Sequence, residues 1–260
     1  MGRGRPGLAR RARRLIVKYY EGHDAEYQRR LGAGQVAWDP GSYEAFITRP
    51  FLECMIAASG FDPAGKQILV LGCGTGPAAV WLAKLGGRVT GIDISKTAIE
   101  AARAQAAARS LSVDFVVADC CATGLAAEAY DLIVDDHFLH CLVKDDERRF
   151  VLENVRRALG RQGEFWLQTM VGHPAMIPDP DWLLDGEGVT WSIVPASART
   201  EDCIEREGRI LFPVRRIQPC AEQLVSELRA AKLEILWSET EPPARRHDTG
   251  TFRARCRRGG

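Results

Sequence analysis

Apolar residues follow two alternating periods along the middle of this chain. Short unbroken apolar runs stand at Gln67–Leu71 (QILVL), 88–92 (RVTGI), 113–117, 131–134 and 164–169. Runs of that length without polar alternation read as strands buried on both faces. Stretches of good helix formers separate them: 77–85, the Ala-rich 95–109, and 145–159. Ser95 suits the N-cap of the second helix, and Gly160 the C-terminal stop of the third. Strands alternating with helices predict βαβ units, right-handed crossovers and a doubly wound parallel sheet.

The flanks break this rhythm. Residues 8–31 are Arg- and Tyr-rich and weakly helical, and Gly32, Ala33 and Gly34 interrupt them. A turn at 38–41 leads to Ser42, which suits the cap of a helix reaching Ser59. Residues 171–218 hold Pro174, Pro178, Pro180, Pro195 and Pro213 with the aromatics Trp182, Trp191 and Phe212. A structureless loop of this length is unusual inside a compact domain. It reads as an insertion with its own hairpin, 189–194 against 209–217. Beyond it come an amphipathic helix at 220–231 and two strands, 234–239 and 251–256, suited to antiparallel pairing. There is no internal repeat.

Composition narrows the classes. Of 260 residues, 46% are hydrophobic, enough for a buried core and too many for a disordered chain. The formal net charge is +1, so no overall bias favours nucleic acid or an anionic membrane. The charge is uneven: Arg3, Arg5, Arg10, Arg11, Arg13 and Arg14 crowd one end, Arg253, Arg255, Arg257 and Arg258 the other. A basic tail is more often a solvated arm than an RNA-binding one. No apolar run is long enough to span a bilayer, and no secretory apolar core follows the basic start. Eight scattered cysteines, Cys73 and Cys141 among apparent core elements, imply reduced thiols and a cytoplasmic setting. Cys120 and Cys121 are adjacent, without the spacing or the second pair of a zinc site, so no metal is expected.

The chemistry gathers at strand ends. In Leu69-Val-Leu-Gly-Cys-Gly-Thr-Gly76, Gly72, Gly74 and Gly76 stand where the first strand turns into the first helix. Glycine there allows positive φ and close backbone approach to a ligand, while the helix N-terminus presents free N–H groups to an anion. Dinucleotide sites prefer a third glycine where Pro77 stands, which disfavours NAD. Asp93, at the end of the second strand, suits an acceptor for both ribose hydroxyls; it also reads as an acid opening the Ser95 helix. The G-x-G-x-G spacing resembles the first motif of class I S-adenosylmethionine-dependent methyltransferases. Asp119 and Cys120 match the place where that family contacts the adenine amino group. The segment 130–140 (YDLIVDDHFLH) resembles its fourth strand and the loop facing the sulfur and the acceptor.

The resemblance covers about residues 65–169. It implies an α/β fold with a doubly wound, mostly parallel seven-stranded sheet and a reversed C-terminal β hairpin. An N-terminal helical lid and an insertion after the fifth strand complete it. The expected organisation is a basic arm and lid (1–60), a cofactor-binding core (61–170), an acceptor-side insertion (171–218), and a helix and hairpin completing the core (219–260). It implies S-adenosyl-L-methionine as cofactor, contacted by Tyr27, Trp38, Gly72, Cys73, Gly74, Thr75, Gly76, Asp93, Ile94, Asp119, Cys120 and Asp135. A hydroxyl, thiol or ammonium acceptor needs a base, and a histidine suits that task near neutral pH. His140, His137 and His173 are the candidates; each also reads as a loop histidine shaping the pocket. His23 and His247 are expected in solvent. Trp182 and Trp191 either wall an aromatic pocket or fill the insertion's own core. The absence of N-P-P-Y after the fourth strand argues against amino methylation of nucleobases or glutamine. Transfer to N, O or S of a small molecule is the leading reading. The alternatives are RNA or protein methylation through the basic ends, and a non-methylating S-adenosylmethionine-binding protein.

Overall fold

A computed structural model describes residues 18–38, 42–174, 183–194, 199–245 and 248–260. The expectations placed on the first 14 residues, Asp39, Trp182 and His247 lie outside them. The core sheet is formed by β1 (Gln67–Leu71), β2 (Arg88–Asp93), β3 (Asp114–Val117), β4 (Tyr130–Asp136), β5 (Leu159–Val171), β10 (Leu233–Glu241) and β11 (Gly250–Arg258). Its order is β10-β11-β5-β4-β1-β2-β3. The first five strands pair parallel, and β11 enters antiparallel between β5 and β10. This is the expected seven-stranded sheet with its reversed hairpin.

Residues of period two place the two cores. Ile68, Val70, Leu132 and Val134 face one side, packed on α2 (Arg49–Ser59), α3 (Pro77–Lys84) and α4 (Lys96–Ala107). Leu69, Leu71 and Ile133 face the other, against α5 (Asp145–Ala158) and α6 (Ala221–Ala230). Burying both faces of every central strand explains the continuous apolar runs.

Local signals hold with two corrections. Ser95 caps α4, its hydroxyl accepting from the Ala98 amide at 3.0 Å. Pro77 occupies the first turn of α3, where its missing N–H costs nothing. Gly160 does not stop α5: that helix ends at Ala158, and Leu159 turns directly into an extended β5 that includes Gly160. The pairing of Leu159 with Tyr130 overrides the glycine's cap preference. The helix expected from Ser42 begins only at Arg49, with Thr48 at the N-cap position, where its side chain makes no cap bond, and Pro50 in the first turn.

The insertion folds as its own antiparallel sheet of order β6-β7-β9-β8, from β6 (Leu183–Leu184), β7 (Val189–Val194), β8 (Ile204–Arg206) and β9 (Arg209–Arg216). The expected hairpin is β7 against β9. The segment leaves and rejoins the core at one point: Val171 bridges Gln218, and the Gly172 amide donates to the Gln218 carbonyl at 2.8 Å. A sheet rooted at the carboxyl end of β5 thus stands over the strand ends. From the other side the front helix α1 (His23–Gly32) and the turn Tyr19–Gly22 cross the same strand ends.

Candidate functional site

The glycine turn opens the site. Gly72, Gly74 and Gly76 have φ of 62°, 52° and 85°, a conformation other residues adopt only under strain. A Cβ on Gly74 would stand 2.5 Å from the Tyr27 hydroxyl, and one on Gly76 would stand 2.7 Å from the Phe115 ring. The first glycine lets α1 close over the turn; the other seats α3 against β3.

A cavity of about 210 Å³ lies above this turn. Of the residues singled out by sequence, Gly72, Cys73, Gly74, Thr75, Asp93, Ile94, Asp119, Cys120, Tyr27, Trp38, His137 and His140 all line it. Gly76 shapes the turn from behind it. Asp135 and His173 are not among the lining residues. Asp135 is buried and accepts from the Phe138 and Leu139 amides at 2.8 and 2.9 Å, so it builds the loop rather than facing the cavity. Burial pushes its carboxyl up to about 7 despite those two bonds. The neighbouring Asp136 faces the cavity instead and accepts from the Thr48 hydroxyl at 2.7 Å. Alternation along β4 decides this: one of two adjacent acids must point inward.

At the cofactor end, Asp93 accepts from the Gly74 amide (2.9 Å) and the Ser95 amide (2.8 Å). Burial raises its pKa; these backbone bonds act against the rise. The Thr75 hydroxyl is buried without a hydrogen-bond partner among the described residues. An orphaned hydroxyl in a glycine turn at a helix start fits a bound polar or anionic group. Asp119 is held by the front segment: Lys18 Nζ donates to it at 2.9 Å and the Tyr20 hydroxyl at 3.0 Å.

Three histidines, His23, His137 and His140, also line the cavity. Burial and the charge of Arg215 push His23 and His137 down to about 4. Burial lowers His140 well below the ordinary histidine range, with His137 and Arg215 adding to the fall. The Arg253 Nε donates to Gln168 Oε1 at 2.8 Å, which leaves the Gln168 amide NH₂ to donate to His137 Nε2 at 2.9 Å. The His137 proton therefore sits on Nδ1. His140 Nδ1 lies 3.3 Å from the Thr169 hydroxyl. Arg148, buried, donates to the carbonyls of Leu139 (2.7 Å) and Leu142 (3.2 Å) and pairs with Glu227, fixing the short turn that carries His140.

His23, Met170 and Arg215 are among the lining residues that escaped the sequence reading. His23 is not in solvent: it faces the cavity from the first turn of α1. Arg215 reaches the cavity from β9, and Met170 from the end of β5. No local motif marks them, because their place depends on where the insertion and front helix pack. Trp191 lies in the insertion, its indole donating to Asp185 at 2.8 Å. All eight cysteines are unpaired, and no metal-ligating cluster occurs among the described residues. No helix among them is long and apolar enough to cross a membrane.

Comparison with known proteins agrees with this geometry. Residues 68–163 match the family model described as a methyltransferase domain. The chain is 36% identical over 113 residues to an S-adenosyl-L-methionine-dependent Diels-Alderase, iccD, of Talaromyces variabilis, covering 41% of this chain and 39% of that protein. It is 33% identical over 125 residues to the O-methyltransferase resE of Aspergillus sclerotiorum, covering 46% of each. The chain thus spans less than half the length of these curated relatives. Among solved structures, the [4+2]-cyclase SpnF superposes with a TM-score of 0.64 at 19% identity, over 94% of this chain and 98% of that one. That likeness extends the shared fold beyond the matched domain. Residues 68–163 thus carry a methyltransferase domain, and the glycine turn and strand order give the chain the fold of the class I S-adenosylmethionine-dependent methyltransferases.

Proposed function

We propose that this protein transfers a methyl group from S-adenosylmethionine to an N, O or S atom of a small molecule. The observation that carries this reading is one covered cavity joining two chemistries. The glycine turn, Thr75, Asp93 and Asp119 line it together with His137, His140, Met170 and Arg215. The residues present suit the cofactor: Asp93 for the ribose, the orphaned Thr75 hydroxyl and the α3 start for the carboxylate end, and Asp119 with Cys120 for the adenine edge. When bound, the sulfonium supplies an already activated methyl group. The chain's own task is then positioning and exclusion of water. Tyr27 and Trp38, in edge contact at 5.2 Å, close the cavity over the turn.

A cavity this size, roofed by α1 and the insertion sheet, suits a small acceptor better than a polynucleotide or protein. A second reading also has support. His137 and His140 are both pushed well toward the neutral form and engaged with neighbours, so they are weak bases. A protein that uses the cofactor without methylating needs no base, and two of the similar proteins are named as cycloaddition catalysts. Calorimetry with S-adenosylhomocysteine, then incubation of pooled small-molecule extracts with methyl-labelled S-adenosylmethionine, separates the outcomes. Binding with transfer supports the first reading. Binding without transfer to any pool favours the second. Absence of binding overturns both.

A further inference from the structure

Gln168 is polar, yet it is only 1% exposed within the central sheet. Register explains its surroundings. On β5 it stands opposite Asp136 of β4 on one side and Arg253 of β11 on the other. Side chains opposed across strands share a face. A row therefore runs from β11 through Gln168 to the end of β4, where His137 follows. A buried amide is costly unless both its ends are paired. Here both are: Arg253 Nε donates to Oε1 at 2.8 Å, and the NH₂ group donates to His137 Nε2 at 2.9 Å. We infer that Arg253 and Gln168 are positioning residues that keep His137 a neutral hydrogen-bond donor, whose Nδ1–H binds a carbonyl oxygen of the small-molecule acceptor. This rests on the proposed function and names the group by which the acceptor is recognised.

Donor chemistry makes this a lock. A guanidinium has no acceptor, so Gln168 cannot turn its amide over without setting N–H against N–H. Glu239 and Glu241 pair with the same guanidinium and fix its place. With Nε2 accepting from Gln168, the His137 proton sits on Nδ1. The ring lines the cavity, so Nδ1–H is the group left to a ligand. A protonated ring would set Nε2–H against the Gln168 NH₂, and His137 therefore cannot take the acceptor's proton while the lock holds. Burial and the charges of Arg215 and Arg253 act in the same direction. The edge contact with His140, ring centroids 5.4 Å apart, restrains rotation of the ring. The backbone is committed too: His137 has a φ of 61°, a left-handed conformation kept where the surroundings impose it. A neutral ring with a fixed N–H recognises a lone pair. A carbonyl oxygen offers lone pairs and has no proton to give.

The test uses the full chain with isotope-labelled histidine, read by long-range nitrogen–proton NMR correlation near neutral pH, free and saturated with S-adenosylhomocysteine. The His137 signals are assigned by their loss in His137→Asn. Native protein is expected to show the Nδ1–H tautomer. Gln168→Glu offers His137 only acceptor oxygens and should place a proton on Nε2. Arg253→Met frees Gln168 to turn, so both tautomers should appear, and this variant decides the matter if the first fails to fold. Ligand recognition is probed with acetophenone and its hydrocarbon isostere isopropenylbenzene. Acetophenone should bind the saturated native chain about fivefold more tightly, as one hydrogen bond requires, and should shift the Nδ1 resonance. Either variant should reduce that preference. A native ring carrying its proton on Nε2, a tautomer unmoved by both variants, or no preference for acetophenone, binding of neither probe included, overturns the inference. If the chain binds no S-adenosylhomocysteine, the functional reading fails on its own, and the tautomer comparison on the free chain still decides the lock.

Discussion

The Asp24 carboxylate accepts a 2.6 Å hydrogen bond from the Ser95 hydroxyl and a 2.9 Å bond from the Thr97 amide, so α1 is fastened to the first turn of α4. The same Ser95 caps α4 and lies two residues past Asp93, which it contacts through its amide. Front helix and cofactor-side acid are therefore joined by a single serine. An acid beside a helix N-terminus also gains from the helix dipole.

Asp24→Ala should loosen the front helix without unfolding the sheet. Loss of the two bonds is expected to cost about 1–2 kcal/mol locally. Hydrogen exchange over residues 23–32 should accelerate in the free protein and slow again on adding S-adenosylhomocysteine, as a lid requires. Strong, unchanged protection in both states would make α1 a fixed element, with Tyr19, Tyr20 and Tyr27 simply part of the core.

Asp93→Ala should weaken S-adenosylhomocysteine by about 1–3 kcal/mol in calorimetry, through the lost ribose acceptor and a looser glycine turn, with native circular dichroism. Asp93→Asn keeps an acceptor for one amide and should fall between the two. An affinity unaltered by either change would reduce Asp93 to a helix-start acid.

His137 imposes a pH dependence of defined sign. Its folded pKa, about 4, lies below the unfolded 6.5, so the unfolded chain binds the extra proton between those values. The contribution is complete above pH 6.5 and is lost as pH falls toward 4, up to about 3 kcal/mol for a full shift and less for a ring that is only half-buried. Asp135 works oppositely: its raised pKa costs stability as pH rises from 3.8 to about 7. The difference between native protein and His137→Asn isolates the histidine, and Asn tolerates the φ of 61° found there. Denaturant midpoints compared at pH 7.5 and 4.5 should converge for the two proteins on acidification. A constant gap would remove His137 from the pH response.

Arg148→Met should destabilise by about 3–5 kcal/mol, because it strands Glu227 and frees two carbonyls of the His140 turn. Arg148→Met with Glu227→Leu should recover much of that stability. If the cavity depends on this turn, transfer activity should stay reduced in the double variant while S-adenosylhomocysteine affinity returns. Full recovery of both would make the pair structural only.

The sequence by itself determined whatever rests on local backbone physics or on contact between neighbours along the chain. Unbroken apolar runs defined five parallel strands, since a strand buried on both faces has no polar alternation to show. The three glycines marked the turn, Ser95 its helix cap, and Pro77 the departure from a dinucleotide site. Tertiary structure decided whatever rests on packing between distant segments. It turned Asp136 rather than Asp135 toward the cavity, because strand alternation points the two acids to opposite sides and two loop amides hold Asp135. It carried Gly160 into a strand, because pairing with β4 outweighed a cap preference. It set His173 aside from the cavity lining, and it brought His23 from α1 and Arg215 from β9 to the wall of one cavity. Those two residues are 192 positions apart, and no periodicity along the chain records that they meet. Their meeting follows from an insertion sheet and a front helix folding over the same strand ends.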